Sequence, residues 1–300
     1  MGLQPGRECF HPRALIGGPE VLRVRNAALS LLREHGILNP EEIRLDLLAW
    51  HALGALVHKR PLRHCEARVT RRGRSSVIAY DERAPVPQAR FGIGHEMGHL
   101  VLHPDVNQLT LCAGLQDLWQ YRARPEEREA NVFAVELLMP GFLFQPRCQD
   151  GTPAFELIED LARTFQTSLT ATALRYLDFG PHDCCLVKSS RGVIQWTFGS
   201  EGFRWPVREG RLAPGSYAID FTEDPTQATK LRKPVRTNLW LRSERGVGQL
   251  HEQSRVIAPG VVLTLLWVEP EAGGAWWGDD DTDVDLDPDH FTPEGRRRRW

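Results

Sequence analysis

The chain runs to 300 residues, 41% hydrophobic and 25% charged, an ordinary globular composition with length enough for one sizeable domain or two smaller ones. A formal net charge of −2 argues against a protein built to coat nucleic acid, and no stretch approaches the roughly 20 apolar residues that span a bilayer. Six scattered cysteines, none in a C-x-x-C pair, and an N-terminus (1–18) without an apolar secretory core point to the cytoplasm rather than to a secreted disulfide scaffold.

After a flexible lead-in over 1–18, residues 19–36 are predicted to be helical. Val21, Leu22, Val24, Ala28, Leu29, Leu31 and Leu32 form one broad apolar face, with Pro19 at the start and Gly36 just past the end. Asn39-Pro40 marks a turn, and a second helix over about 41–53 stops at Gly54. Runs at 55–58, 65–70 and 77–80 read as strands, the last two joined by a polar turn around Gly73. Residues 88–102 and 126–139 read as helices ended by Pro104 and Pro140, and 155–165 and 170–177 as a helix pair. Beyond Gly180-Pro181 the pattern changes to strands at 184–188, 193–198, 216–221, 237–242 and 261–268. The expectation is an α+β protein: a first domain over 19–180, a smaller α/β or mainly β domain over 181–272, and a charged, disordered tail over 273–300. In that tail an Asp-rich block (279–289) precedes Arg296, Arg297, Arg298 and Arg299.

The chemistry sits in Arg90-Phe91-Gly92-Ile93-Gly94-His95-Glu96-Met97-Gly98-His99-Leu100, which contains H-E-x-x-H. On a helix, residues i and i+4 share a face, so His95 and His99 can bite one ion, and zinc prefers such nitrogen ligands. Glu96, beside the first ligand, is the candidate general base, able to take a proton from the attacking water and hand it to the leaving amine. The strand of Val77, Ile78, Ala79 and Tyr80 precedes the motif and is expected to be an edge strand that aligns an extended substrate. His103 continues the four-residue spacing, but lies eight residues from His95, about 12 Å along the axis, so the three imidazoles cannot share one ion. The third ligand must come from a later helix, where Glu126, Glu127, Glu129 and Glu136 are candidates. Glu127 and Asn131 are spaced i, i+4, which puts a carboxylate ligand and an amide able to bond a ligand imidazole on one face. Glu129 points about 200° away from Glu127, so both cannot serve.

Arg90-Phe91-x-x-x-His95-Glu96-Met97-Gly98-His99-Leu100-x-Leu102-His103 and the longer stretch Glu127-Arg128-Glu129-Ala130-Asn131-Val132-Phe133-Ala134-Val135-Glu136-Leu137-Leu138-Met139-Pro140 resemble the ImmA/IrrE family of metallopeptidases, over about residues 20–180. The resemblance implies a thermolysin-like (gluzincin) fold with zinc on His95, His99 and Glu127, the last from the family's E-x-x-A-N pattern. Manganese is the other candidate ion, since metal choice follows geometry and availability as well as ligand type. It also implies a substrate class: family members cleave helix-turn-helix repressors and so switch on stress-response or mobile-element genes. With some 20 residues ahead of the first helix, the repressor is expected to be a separate protein. In the radiation-response branch a GAF-type sensor domain follows the peptidase, and the strands of 181–272 suit that in position and size, with a small-molecule signal as its ligand. One departure is Gly92-Ile93-Gly94, where the family usually has Thr and Ala. Each glycine costs about 1 kcal/mol of helix stability relative to Ala, so the helix is expected to start late or enter flexibly.

Two other classes compete. A catalytically silent metal-binding regulator acting by protein–protein contact would be favoured by loss of Glu96, which is present. A nucleic-acid-binding sensor with a vestigial peptidase is disfavoured by the net acidic charge and the lack of a DNA-binding motif. Trp196, Trp205, Trp240 and Trp267 read as core aromatics before pocket linings, and Arg232, Lys233 and Arg236 as a solvated loop before a nucleic-acid patch.

Overall fold

A computed structural model describes residues 19–62, 65–72, 75–104, 124–149, 151–223, 233–243 and 247–269. The lead-in, the turn at Gly73, Arg232 and the tail expected over 273–300 lie outside the described residues. Helix α1 (Pro19–Glu34) buries Val24, Ala28, Leu31 and Leu32, one stripe at helical spacing, and ends at Gly36 in the left-handed region (φ 67°). Asn39 opens a 3-10 turn (Pro40–Glu42) rather than the helix itself, because the Glu42 carboxylate reaches back to the amides of Leu38 and Asn39, 2.7 and 2.9 Å away. Helix α2 (Leu45–Leu53) follows and stops at Gly54, φ 59°.

Strands β1 (Ala55–Arg60), β2 (Ala67–Arg72) and β3 (Ser75–Asp81) form a sheet in the order β1-β3-β2, with β1 parallel and β2 antiparallel to β3. Helix α3 (Val86–Leu102) packs on this sheet, on α2 and on α4 (Pro125–Leu138). It begins well before Gly92, so the glycines do not delay it. After α4 come α5 (Gly141–Phe144), a 3-10 turn (Gln145–Cys148), α6 (Phe155–Phe165) and α7 (Leu169–Phe179), the last capped by Ser168, whose hydroxyl accepts from the Ala171 amide. Under the end of α4 lies a buried knot. Arg175 donates to Glu136 (2.6 Å), to the Met139 carbonyl (2.9 and 3.1 Å) and to Asp178, while Glu136 also accepts from the Gly141 amide.

The second sheet is antiparallel, in the order β5-β4-β8-β7-β6, from β4 (Cys184–Ser190), β5 (Val193–Gly199), β6 (Lys233–Pro234), β7 (Gln249–Ala258) and β8 (Val261–Glu269). The β4–β5 turn places Arg191 and Gly192 at positive φ, the pair of left-handed residues that matches strand twist. Strand β8 is buried almost throughout, because both faces of the sheet are covered. Cys184, Leu186, Leu263, Leu265 and Trp267 join the core of the helices, while Cys185, Val187, Val262, Leu266 and Val268 face α8 (Tyr217–Glu223) with Phe221, Trp240 and Leu241. Trp240 and Trp267 are core residues, and Lys233 and Arg236 are exposed. Two expected strands are otherwise: 217–223 is helical and 237–239 a 3-10 turn. Strand β7, not foreseen, hides its inner positions behind polar letters (Glu252, Ser254) that are buried because they are bonded.

Candidate metal centre

Helix α3 carries the H-E-x-x-H residues inward: His95, Glu96 and His99 are all buried, Glu96 completely. Its three glycines are what let neighbours approach. A Cβ on Gly98 would lie 3.0 Å from the Ala130 Cα and one on Gly94 3.5 Å from the Ala134 Cβ, so two small residues of α3 seat two small residues of α4 one turn apart. A Cβ on Gly92 would lie 2.8 Å from the Cβ of Ala67 in β2. The helix cost of these glycines is thus offset by a crossing close enough to bring α4 to the imidazoles.

Of the four candidate glutamates, only Glu127 arrives there. Its carboxylate lies 3.2 Å from Nε2 of His95 and 3.5 Å from Nε2 of His99, and the two Nε2 atoms are 3.0 Å apart. Glu126 is exposed, Glu129 accepts both bonds of the Arg23 guanidinium at 2.8 Å, and Glu136 belongs to the Arg175 knot. Nδ1 of His95 donates to Oδ1 of Asn131 (2.7 Å), so in the neutral ring it is Nε2, facing His99 and Glu127, that carries the lone pair. With both rings neutral, the two Nε2 atoms and the carboxylate offer three donor atoms to one cation. Tetrahedral ligands at zinc's usual 2.0–2.1 Å stand about 3.3 Å apart, which the three distances straddle. Burial pushes the Glu127 carboxyl up, but the two imidazoles bonded to it outweigh that and hold it well below the usual carboxylate range. The donor set fits a zinc-type ion: among the described residues, His95, His99 and Glu127 form a group that could hold a metal.

His103, as expected, lies apart from this set. Its amide caps the His99 carbonyl at the end of α3, and its ring lies 3.5 Å from Glu129. Val77, Ile78, Ala79 and Tyr80 do not form an edge. They lie in β3, the middle strand, with β1 on one side and β2 on the other. The strand at the sheet's edge beside α3 is β2, whose Val69 amide donates to Oε2 of Glu96 at 2.9 Å. Sequence reasoning missed β2 in this place because the parallel pairing of β1 with β3 is non-local. The signal that marks it is Ala67, small where Gly92 meets it.

No helix among the described residues is long and apolar enough to cross a membrane. No curated protein matches the chain. Among solved structures, a Mycobacterium tuberculosis transcriptional regulator aligns with a TM-score of 0.57 at 17% identity, over 82% of this chain and 76% of that one, a likeness of fold. The family described as Peptidase_M78, IrrE N-terminal-like domain, matches residues 52–176, which span the three-stranded sheet, both site helices and the Arg175 knot. Residues 52–176 are therefore similar to the IrrE N-terminal-like peptidase domain.

Proposed function

We propose that this protein is a zinc-dependent endopeptidase of thermolysin-like build that acts inside the cell on a helix-turn-helix transcription regulator. The observation that carries the reading is the convergence of His95, His99 and Glu127 beside Glu96, on a helix flanked by an edge strand. A zinc ion held there supplies a Lewis acid for the peptide carbonyl and for the attacking water. Glu96 takes the proton from that water and passes it to the leaving amine, with the Val69 amide fixing its carboxylate. Asn131 holds His95 in the tautomer that presents Nε2. Strand β2, rather than β3, aligns an extended substrate along its edge. The regulator as substrate is supported by the family match and by the printed name of the structural neighbour. The free thiols of Cys65, Cys148, Cys184 and Cys185 suit a reducing compartment. We read residues 181–272 as a GAF-like sensor for a small-molecule signal, supported by the second core that the sheet forms with α8. Manganese is the alternative ion.

The test pairs metal content with cleavage of a helix-turn-helix repressor encoded nearby, for wild type and Glu96→Gln. Wild type is expected to bind about one zinc and cut, and Glu96→Gln to bind zinc and cut about 10²- to 10⁴-fold more slowly. If both bind zinc and neither cuts, the contact-regulator reading replaces this one. A wild type without metal sinks the three-ligand assignment.

A further inference from the structure

The edge strand β2 is tied to α3 at three places along the H-E-x-x-H turns. Ala67 fills the space where Gly92 lacks a Cβ, and the Val69 amide holds Glu96. At the far end Arg71, four residues from Ala67 and on the same strand face, reaches over the C-terminus of the helix. Its Nη2 donates to the carbonyls of His99 and His103, 3.1 Å each, and its Nη1 to the carbonyl of Pro104. The His99 carbonyl also takes the His103 amide, so Arg71 adds a second donor there and pins the two carbonyls just past the helix end, where a cation also complements the helix dipole. His99 stands on that last turn, since α3 ends at Leu102, whereas His95 lies a full turn inside. Loosening the end of the helix would therefore move one imidazole relative to the other.

On the reading that His95, His99 and Glu127 hold a metal, we propose that Arg71 is a positioning residue for that centre. It touches no ligand atom. It fixes the backbone of His99 and, through β2, the amide that holds Glu96, so that base, ligand and substrate-aligning edge keep their spacing as one unit. Nothing in the H-E-x-x-H pattern points to it, because it acts from a strand some 30 residues away in the chain and bonds only to backbone.

The experiment uses the full chain with zinc alone and then with cobalt(II) alone. Arg71→Ala is expected to weaken zinc about tenfold to a hundredfold in competition with a chromophoric chelator, the loss usual for residues that support a ligand. It should also shift the visible d–d bands of the cobalt form and speed amide exchange in 67–72 and 99–104, while α1 and α6 stay within about twofold. Arg71→Lys, which keeps the charge but reaches fewer carbonyls, should fall between. Unchanged zinc affinity in both variants overturns the proposal and leaves the metal reading standing, as does exchange that rises evenly over the chain. Wild type that binds no zinc overturns the metal reading instead. Should Arg71→Ala fail to fold, Arg71→Lys decides by itself: a cobalt spectrum and zinc affinity equal to wild type overturn the proposal.

Discussion

Two carboxylates, Glu252 fully buried in the second sheet and Glu127 partly buried in the helical half, show opposite ways of settling a polar group withdrawn from water. Glu252, on β7, has its lone pairs met by the protein: Oε1 accepts from the Ala218 amide (2.9 Å) and the Ser254 hydroxyl (3.2 Å), and Oε2 from the Trp240 indole (2.7 Å). Glu127, on α4, faces the Nε2 atoms of two imidazoles, one of whose rings is oriented by its bond to Asn131. The first arrangement is closed and ties β7 to α8 and Trp240. The second could take a metal ion among its three donor atoms. Buried polar groups must be satisfied, and the kind of partner that is missing tells a structural knot from a site.

Variants sharpen the contrast, the largest effect coming from a closed knot. Arg175→Met strips the guanidinium from Glu136 and from the Met139 carbonyl while keeping much of the stem. It leaves the buried Glu136 carboxylate with only the more distant Arg25, 3.8 Å away, as counter-ion, so a loss of about 3 kcal/mol is expected in urea denaturation. A loss below about 1 kcal/mol would show that the knot is dispensable. Asn131→Ala should behave in the opposite sense. It removes the bond that orients His95, so stability in the absence of metal is expected to change by less than about 1 kcal/mol, whereas zinc affinity falls about tenfold to a hundredfold. Equal zinc affinity would mean that His95 needs no such support, and the open site would lose its distinguishing feature.

Legibility in the sequence divides along the same line. The candidate site was legible in part from short rules, His95 and His99 standing four apart on one helix face, while Glu127 was picked out from four glutamates by the E-x-x-A-N pattern it shares with Asn131. The helices around it were readable from their apolar stripes, as in α1. What could not be read was set by distant partners. Residues 216–221 alternate like a strand, yet form the start of α8 because Glu252 on β7 receives the amide of Ala218. Strand β7 itself escaped notice because Glu252, Gln253 and Ser254 look solvated and are buried only through their bonds. The middle place of β3 depends on β1 returning to it in parallel, and the role of Arg71 on carbonyls of another element. Local pattern carries the chemistry, while long-range hydrogen bonds carry the placement.

The smallest effect expected, and the one that tests the closed carboxylate most directly, is that of Glu252→Gln. The amide nitrogen of Gln cannot accept, so one of the donors now on Glu252 is left unpaired, at a cost of about 1–3 kcal/mol that loss of a buried charge partly offsets. A net loss of about 1 kcal/mol is expected at neutral pH. The pH dependence gives the sign. Burial pushes the Glu252 carboxyl above its ordinary 4.5, outweighing the Trp240, Ala218 and Ser254 donors that act the other way. The folded protein therefore holds this proton more tightly than the unfolded chain. The stability linked to it is fully present below the unfolded value and is lost as pH rises through the raised one. Gln does not titrate, so the advantage of wild type over Glu252→Gln should be larger below about pH 4 and shrink as pH climbs past the ordinary carboxylate range. Taking the difference between the two chains removes the acid sensitivity of every other carboxylate. An advantage that instead grows with pH would mean that the donors around Glu252 outweigh its burial. The bonded cluster around Glu252 would then favour the ionised carboxylate.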